Sequence, residues 1–287
     1  MAYTLLNGKD LAKRMKEAMR QEVKDLASKG NVPGLAVVIV GNDPASRIYV
    51  NSKKRDCEEV GIRSFEYTLP EETKEEQLLE LIDALNEDQA VDGILVQLPI
   101  PKHLDEGKVI RRISPKKDVD AFHPYNVGEL MIGNLIFAPC TPAGVMELLK
   151  DAGLTIAGKN CVIVGRSNIV GKPMSMLMLH ANATVTICHS KTKNLKEVCK
   201  GADILIAAIG KANFITKDYV KEGAVVVDVG INRTPDGGMT GDVAFEEVSK
   251  IASAITPVPG GVGPMTRAML LKNTIKAYNM HKNDRLS

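Results

Sequence analysis

VIVGRSNIVGKPM, residues Val162–Met174, is an apolar run that enters a glycine turn and leaves it toward a proline. A strand, a glycine and then a helix is how a dinucleotide phosphate loop begins, because the turn and the helix N-terminus offer backbone N–H groups to an anion. The usual fingerprint has a second glycine two residues after the first and a third three residues further on. Here Ser167 holds the second place, Gly171 arrives one residue late, and Arg166 directly follows Gly165. The pattern predicts a strand over Cys161–Val164 and a helix from about Pro173. A tight βα turn that holds no ligand opens in the same way, so this loop needs a second signal.

That signal lies at the end of the next strand. The flanking sequence alternates as strand Thr184–Cys188, helix Leu195–Lys200, strand Ile204–Ala208 and strand Ala224–Val229, a Rossmann-like half. An NAD site places Asp or Glu roughly 20 residues beyond the glycines, to hold the ribose 2′-OH. This chain has TVTICHSKT there, with His189, Ser190 and Lys191 and no acid. A hydroxyl and a cation at that place, with Arg166 on the neighbouring loop, suit a 2′-phosphate through charge-assisted hydrogen bonds. The loop that starts at Gly165 reads as NADP-binding, with Arg166 and Ser190 toward the 2′-phosphate. The competing reading makes Arg166 a solvated surface residue.

The N-terminal half alternates as well. Asp10–Lys29 reads as an amphipathic helix with Leu11, Met15, Met19, Val23 and Leu26 on one stripe. LAVVIVG (35–41) is a continuous apolar strand of the buried parallel kind. A helix with Pro44 near its start and Gly61 at its end follows, then strand Ser64–Thr68, helix Lys74–Asn86 and the strand GILVQLP. This β-α-β-α-β order predicts a parallel sheet wound by right-handed crossovers. Pro101–Asp118 is polar and proline-bearing, and reads as the edge of a first domain. Beyond it, TPAGVMELLKDAGL predicts a helix capped by Thr141 with Pro142 at its first position, and Thr266 to about Asn279 predicts a last helix. The fold class is therefore α/β, with a parallel-sheet N-terminal domain and a Rossmann-like domain. Residues 1–120 and 121–266 are the expected division.

Tyr49 and Lys53 stand four apart on the second helix, hence on one face. That pair is also what a half-buried tyrosine with a snorkelling lysine looks like. Gln97 ends its strand before Leu98-Pro99, and Asp120 lies in KDVDAF. Open α/β sheets bind ligands outside the carboxyl ends of their strands, where a glutamine could orient the lysine and an aspartate could read N–H groups of a heterocycle.

Composition narrows the partners. A chain of 287 residues with 44% hydrophobic and 25% charged residues is that of an ordinary globular protein, long enough for two cores. The net charge of +2 leaves no bulk positive field for nucleic acid. No apolar run reaches the roughly 18 to 20 residues that span a bilayer, and MAYTLLNGKDLAKRMKEAM lacks a signal core. The 5 cysteines form no C-x-x-C and several lie in apolar runs, as reduced thiols of a cytoplasmic protein do. The 5 histidines are scattered, so no metal site is expected.

YVNSK, GILVQLPIP, KDVDAFHPYNVGEL, PCTPAGVMELL, VIVGRSNIVGKPM, CHSKT, ADILIAAIGK, VVVDVGIN, TGDV and TPVPGGVGPMT occur in that order along the chain. In these stretches the chain resembles the bifunctional methylenetetrahydrofolate dehydrogenase/cyclohydrolases, over essentially its whole length. The resemblance implies NADP-dependent oxidation of 5,10-methylenetetrahydrofolate, hydrolysis of the methenyl product to 10-formyltetrahydrofolate, and a homodimer. It implies a folate cleft between the two domains, with the last helix, about 267–287, packed back on the first. By the same resemblance Tyr49 stacks on folate, Lys53 is the catalytic amine, Gln97 positions it and Asp120 holds the pterin. Arg166, Ser167, Ser190 and Ile231 fall in the cofactor site, and Pro259, Gly260 and Gly261 in a loop that closes on folate and nicotinamide. One departure is visible: the family commonly has glycine after the aspartate, where this chain has Ala121. The rivals are a shikimate-type NADP dehydrogenase, a non-catalytic NADP sensor, and a member of the family with dehydrogenase activity alone.

Overall fold

The computed structural model describes residues 3–286. Met1, Ala2 and Ser287, at the ends of the expected domains, lie outside the described residues. The chain begins with β1 (Thr4–Leu5), α1 (Gly8–Ala27), β2 (Gly34–Val40), α2 (Pro44–Val60), β3 (Arg63–Leu69), α3 (Glu75–Glu87) and β4 (Gly93–Val96). It continues with α4 (Glu106–Arg112), α5 (Pro124–Ile132), α6 (Cys140–Asp151), β5 (Asn160–Val164), α7 (Gly171–His180), β6 (Thr184–Cys188), α8 (Leu195–Lys200) and β7 (Ile204–Ala207). A 3₁₀ turn (Lys217–Tyr219) precedes β8 (Val225–Asp228), β9 (Asn232–Arg233), β10 (Met239–Thr240), α9 (Phe245–Val248), β11 (Ala254–Ile255) and α10 (Val262–Leu286).

Two compact units result. One holds Arg14–Cys140 with the chain from Arg267 onward, and the other holds the residues up to Lys13 with Thr141–Thr266.

In the first unit the sheet order is β3-β2-β4, all parallel. β2 is central because every one of its residues is apolar or glycine and every one is buried. α2 starts on Asp43, whose carboxylate accepts from the Ser46 N–H at 2.7 Å, and stops at Gly61 in the left-handed region. Val38, Leu78, Ile82 and Ile94 form the core, joined by Val109 and Ile113. The last two come from the stretch read as a polar domain edge; it contains α4, whose single apolar face is too short to show a period. The first compact unit runs on past residue 120 to Cys140. Asp118 extends the sheet as a parallel bridge to Ile94, and α5 follows with Asn126 and Leu130 buried.

The second unit is a six-stranded parallel sheet in the order β1-β11-β8-β7-β5-β6. Residues up to Lys13 belong here because β1 pairs with β11, two-residue strands that no alternation could reveal. α7 begins at Gly171, so Pro173 sits in its first turn, where no backbone N–H is needed within the helix. Thr141 lies inside α6 instead of capping it, and its hydroxyl meets that of Thr266 at 2.9 Å.

Candidate active site

α2 carries Tyr49 and Lys53 one turn apart, with Tyr49 exposed and Lys53 half-buried. Lys53 Nζ donates to Gln97 Oε1 at 2.8 Å. Gln97 lies just past β4, its own N–H bound to the Val38 carbonyl, and its Nε2 donates to Leu98 O at 2.6 Å. With both ends of the amide engaged, the carbonyl oxygen faces the lysine and not the NH₂. Burial pushes the Lys53 amine below the ordinary lysine range; the Asp120 carboxylate pulls it back up and the Arg267 guanidinium adds to the lowering. Burial raises the Asp120 carboxyl, and the charge of Lys53 opposes that rise. An amine whose charged form burial disfavours, held beside an amide acceptor, is equipped to exchange protons.

The loop that presents Asp120 is tied from below. The buried Asp118 carboxylate accepts from the N–H groups of Phe122 (3.3 Å) and His123 (2.8 Å) and from Asn126 Nδ2 (2.8 Å). Ala121 adopts φ 60°, the left-handed region, and is 1% exposed. The position where the family commonly has glycine is thus one where the backbone favours it. Two residues of this site carried no signal in the sequence reading. The Cys140 thiol is a hydrogen-bond partner of Asp120 and lies 3.4 Å from Val119 O. Asn273, on α10, donates to Val119 O at 2.8 Å and Ala138 O at 3.0 Å. Neither has a spacing partner in the chain; only folding brings positions 119, 140 and 273 together.

In the other unit the loop after β5 curls back on itself. A Cβ on Gly165 would strike the Ala208 carbonyl, and one on Gly171 would strike the Gly165 carbonyl. These two glycines therefore serve close backbone approach. Ser167 Oγ accepts from the Val170 and Gly171 N–H groups at 3.2 and 3.4 Å, leaving its own O–H to donate. Arg166 is exposed and makes no hydrogen bond or ion pair with any described residue. The β5–β6 register pairs Val164 with Cys188, so Arg166 and Ser190 each stand two residues past the ends of adjacent parallel strands. Ser190 and Ile231 are exposed, Ile231 beyond β8. Pro259 is exposed and Gly261 buried in the loop before α10, where Gly260 O accepts from the Lys9 N–H at 2.9 Å. Among the described residues no cluster of His, Cys, Asp or Glu is arranged to hold a metal ion.

A parallel α/β unit with a lysine–glutamine–aspartate group, and a Rossmann-like unit with a glycine loop flanked by a cation and hydroxyls, have the make-up of a dinucleotide-dependent enzyme. The chain belongs to the tetrahydrofolate dehydrogenase/cyclohydrolase family: the catalytic-domain model of that family matches residues 6–120, and its NAD(P)-binding-domain model matches residues 139–282. It is 64% identical over 277 residues to the bifunctional protein FolD of Ruminiclostridium cellulolyticum, covering 96% of this chain and 98% of that protein. The crystal structure of the bifunctional enzyme FolD, a methylenetetrahydrofolate dehydrogenase/cyclohydrolase from Campylobacter jejuni, superposes with a TM-score of 0.96 at 52% identity, covering 98% of this chain and 100% of that one. A Trypanosoma brucei methylenetetrahydrofolate dehydrogenase-cyclohydrolase complexed with NADP cofactor and inhibitor superposes with a TM-score of 0.94 at 38% identity, covering 98% of each chain. Membership in this family sets aside the shikimate-type reading.

Proposed function

We infer that this chain oxidises 5,10-methylenetetrahydrofolate to 5,10-methenyltetrahydrofolate with NADP and hydrolyses the product to 10-formyltetrahydrofolate. The observation that carries the reading is the Lys53–Gln97 contact at 2.8 Å, in a chain whose halves match the two domains of the family. The residues around Gly165 fit the cofactor: the glycines let the backbone curl, Ser167 has a hydroxyl hydrogen to give, and Arg166 has no protein partner to leave. When bound, NADP supplies the hydride acceptor. Arg166 and Ser190 would hold its 2′-phosphate, Gly165 and Ser167 its diphosphate, and Ile231 would line the nicotinamide side.

The hydrolytic step needs the protein's own groups. Water adds to the cationic bridging carbon, the bond from that carbon to N5 breaks, one proton of the water ends on N5 and the other is released, which discharges the positive charge of the methenyl group. Lys53, whose amine burial draws below the ordinary lysine range, serves as the base that takes a proton from water and, as the ammonium, as the acid that gives one to N5. Gln97 fixes where the amine lone pair points. Asp120 accepts from N–H groups of the pterin, and Tyr49 offers its ring to the flat folate. The protein works as a cytoplasmic homodimer; in support, the family resemblance implies the dimer, and Cys57, Cys140, Cys161, Cys188 and Cys199 are free and buried, as thiols of a reducing compartment are.

One assay tests the whole reading. Protein, methylenetetrahydrofolate and NADP are mixed, and the methenyl absorbance should rise and then decay. NADPH without decay of methenyl beyond the spontaneous rate would leave a dehydrogenase alone, and no NADPH would refute the inference.

A further inference from the structure

The buried acids Asp228 and Asp242 lie in VVVDVGIN and TGDV, and neither has been assigned a task above. Asp242 is 0% exposed. Its Oδ2 accepts from the backbone N–H groups of Ile209 (2.6 Å) and Gly210 (2.9 Å), and its Oδ1 from that of Lys211 (2.9 Å) and from Asn232 Nδ2 (2.9 Å). Three consecutive backbone donors thus converge on one carboxylate. Asp228 holds Asp242 in turn, accepting from the N–H groups of Asp242 (2.9 Å), Val243 (2.8 Å) and Gly230 (2.9 Å). A Cβ on Gly230 would strike the Asp242 carboxyl group, and one on Gly241 would strike that of Asp228, so the acids occupy room that only glycines leave. The backbone around Asp242 is pinned as well, with Ile215 N bound to Asp242 O at 2.9 Å and Ala244 N to Ile215 O at 2.9 Å.

The segment held in this way is the loop that leaves β7. In the sheet order β8-β7-β5-β6 the chain runs from β5 outward to β6 and then returns to β7 on the other side. The ends of β5 and β7 are therefore the topological switch point, where doubly wound sheets bind dinucleotides. One wall of that crevice is the Gly165 loop, and the other is the Ala208–Lys211 segment that Gly165 touches.

We propose that Asp242, seated by Asp228, is a positioning residue for dinucleotide binding, whose carboxylate sets the shape of the Ile209–Lys211 wall before the cofactor arrives. The proposal rests on the cofactor reading given above. It has two consequences. The amides of Ile209, Gly210 and Lys211 should be protected from hydrogen exchange in the cofactor-free protein, since their acceptor is internal and buried. Asp242→Asn, of the same size, turns an NH₂ toward two of the four donors whichever way the amide sits. If the variant holds the wall in its binding shape only about 1 to 10% of the time, the apparent NADP dissociation constant should rise about tenfold to a hundredfold.

The test is calorimetric titration of NADP into wild type and Asp242→Asn at a temperature where both give the same far-ultraviolet circular dichroism. Amide exchange on cofactor-free wild type accompanies it. Weakened binding in the variant together with protected amides in wild type supports the proposal. An NADP affinity within twofold of wild type overturns it, leaving a role in stability alone. Amides that exchange as fast as an open loop also overturn it, and that readout stands even where the variant fails to fold. Wild type that binds no NADP would instead refute the cofactor reading on which the proposal depends.

Discussion

Lys53→Met removes the ammonium and keeps the length of the stem. The structure sets the expected changes in stability and in rate apart from each other. One hydrogen bond, to Gln97 Oε1 at 2.8 Å, is lost. Because Gln97 is half-buried, this costs about 1 kcal/mol. Against this, an amine that burial disfavours in its charged form gives way to an apolar thioether that needs no solvation. Asp120 loses the cation that opposes its upward shift and takes up a proton more readily. The net change in stability should lie within about 1 kcal/mol of zero. Catalysis behaves otherwise, because positioned proton transfer contributes about 10²- to 10⁴-fold, which is about 3 to 5 kcal/mol of barrier. Methenyltetrahydrofolate hydrolysis, followed by its absorbance, should fall by at least a hundredfold. Hydride transfer, followed as NADPH, should persist in larger part, so the methenyl product accumulates. Hydrolysis at the wild-type rate would refute the role of Lys53. Loss of both activities in a folded variant that still binds folate would make Lys53 essential to the hydride step too.

Four further outcomes are expected. Arg166→Ala should raise the NADP KM by about ten- to a hundredfold, or about 1.5 to 3 kcal/mol, with the weak NAD reaction nearly unchanged; equal losses with both cofactors would remove the 2′-phosphate role. Asp120→Asn, which adds a donor where only acceptors stood, should weaken folate binding in titrations and leave NADP binding intact. Burial pushes the Asp228 carboxyl up to about 6, so the folded chain keeps a proton that the unfolded chain has released above about pH 3.9. The contribution of Asp228 to stability should therefore fall by up to about 3 kcal/mol as pH rises from about 4 to 6, measured by denaturant titration, and the pH dependence of Asp228→Asn should be shallower than that of wild type by this amount. Ala121→Gly trades about 1 to 2 kcal/mol of left-handed strain against a buried methyl worth about 0.8 kcal/mol and about 0.4 to 1 kcal/mol of chain entropy. Its thermal unfolding should thus stay within about 1 kcal/mol of wild type, and a loss above about 2 kcal/mol would rule out strain at this residue.

Much of the protein is decided by local chemistry that the chain displays along its length. LAVVIVG (35–41) reads as a buried parallel strand because burial on both faces leaves no polar position, and every residue of β2, Gly34–Val40, is buried. The turn at Gly165, the absence of an acid beyond Cys188 and the helix face shared by Tyr49 and Lys53 are equally local, since each depends on residues a few positions apart. What the sequence could not display are the contacts between distant segments, because no spacing records them. Two-residue strands such as β1 and β11 exist only as partners of each other and of β8. The stretch up to Cys140 stays with the first unit, where Asp118 pairs with Ile94 and gathers three donors around one buried carboxylate. Gln97 turns its carbonyl toward Lys53, Asn273 reaches Val119 and Ala138, and Asp242 collects the N–H groups of Ile209, Gly210 and Lys211. A buried polar group must find a partner wherever the fold supplies one, and that choice is made by the tertiary structure.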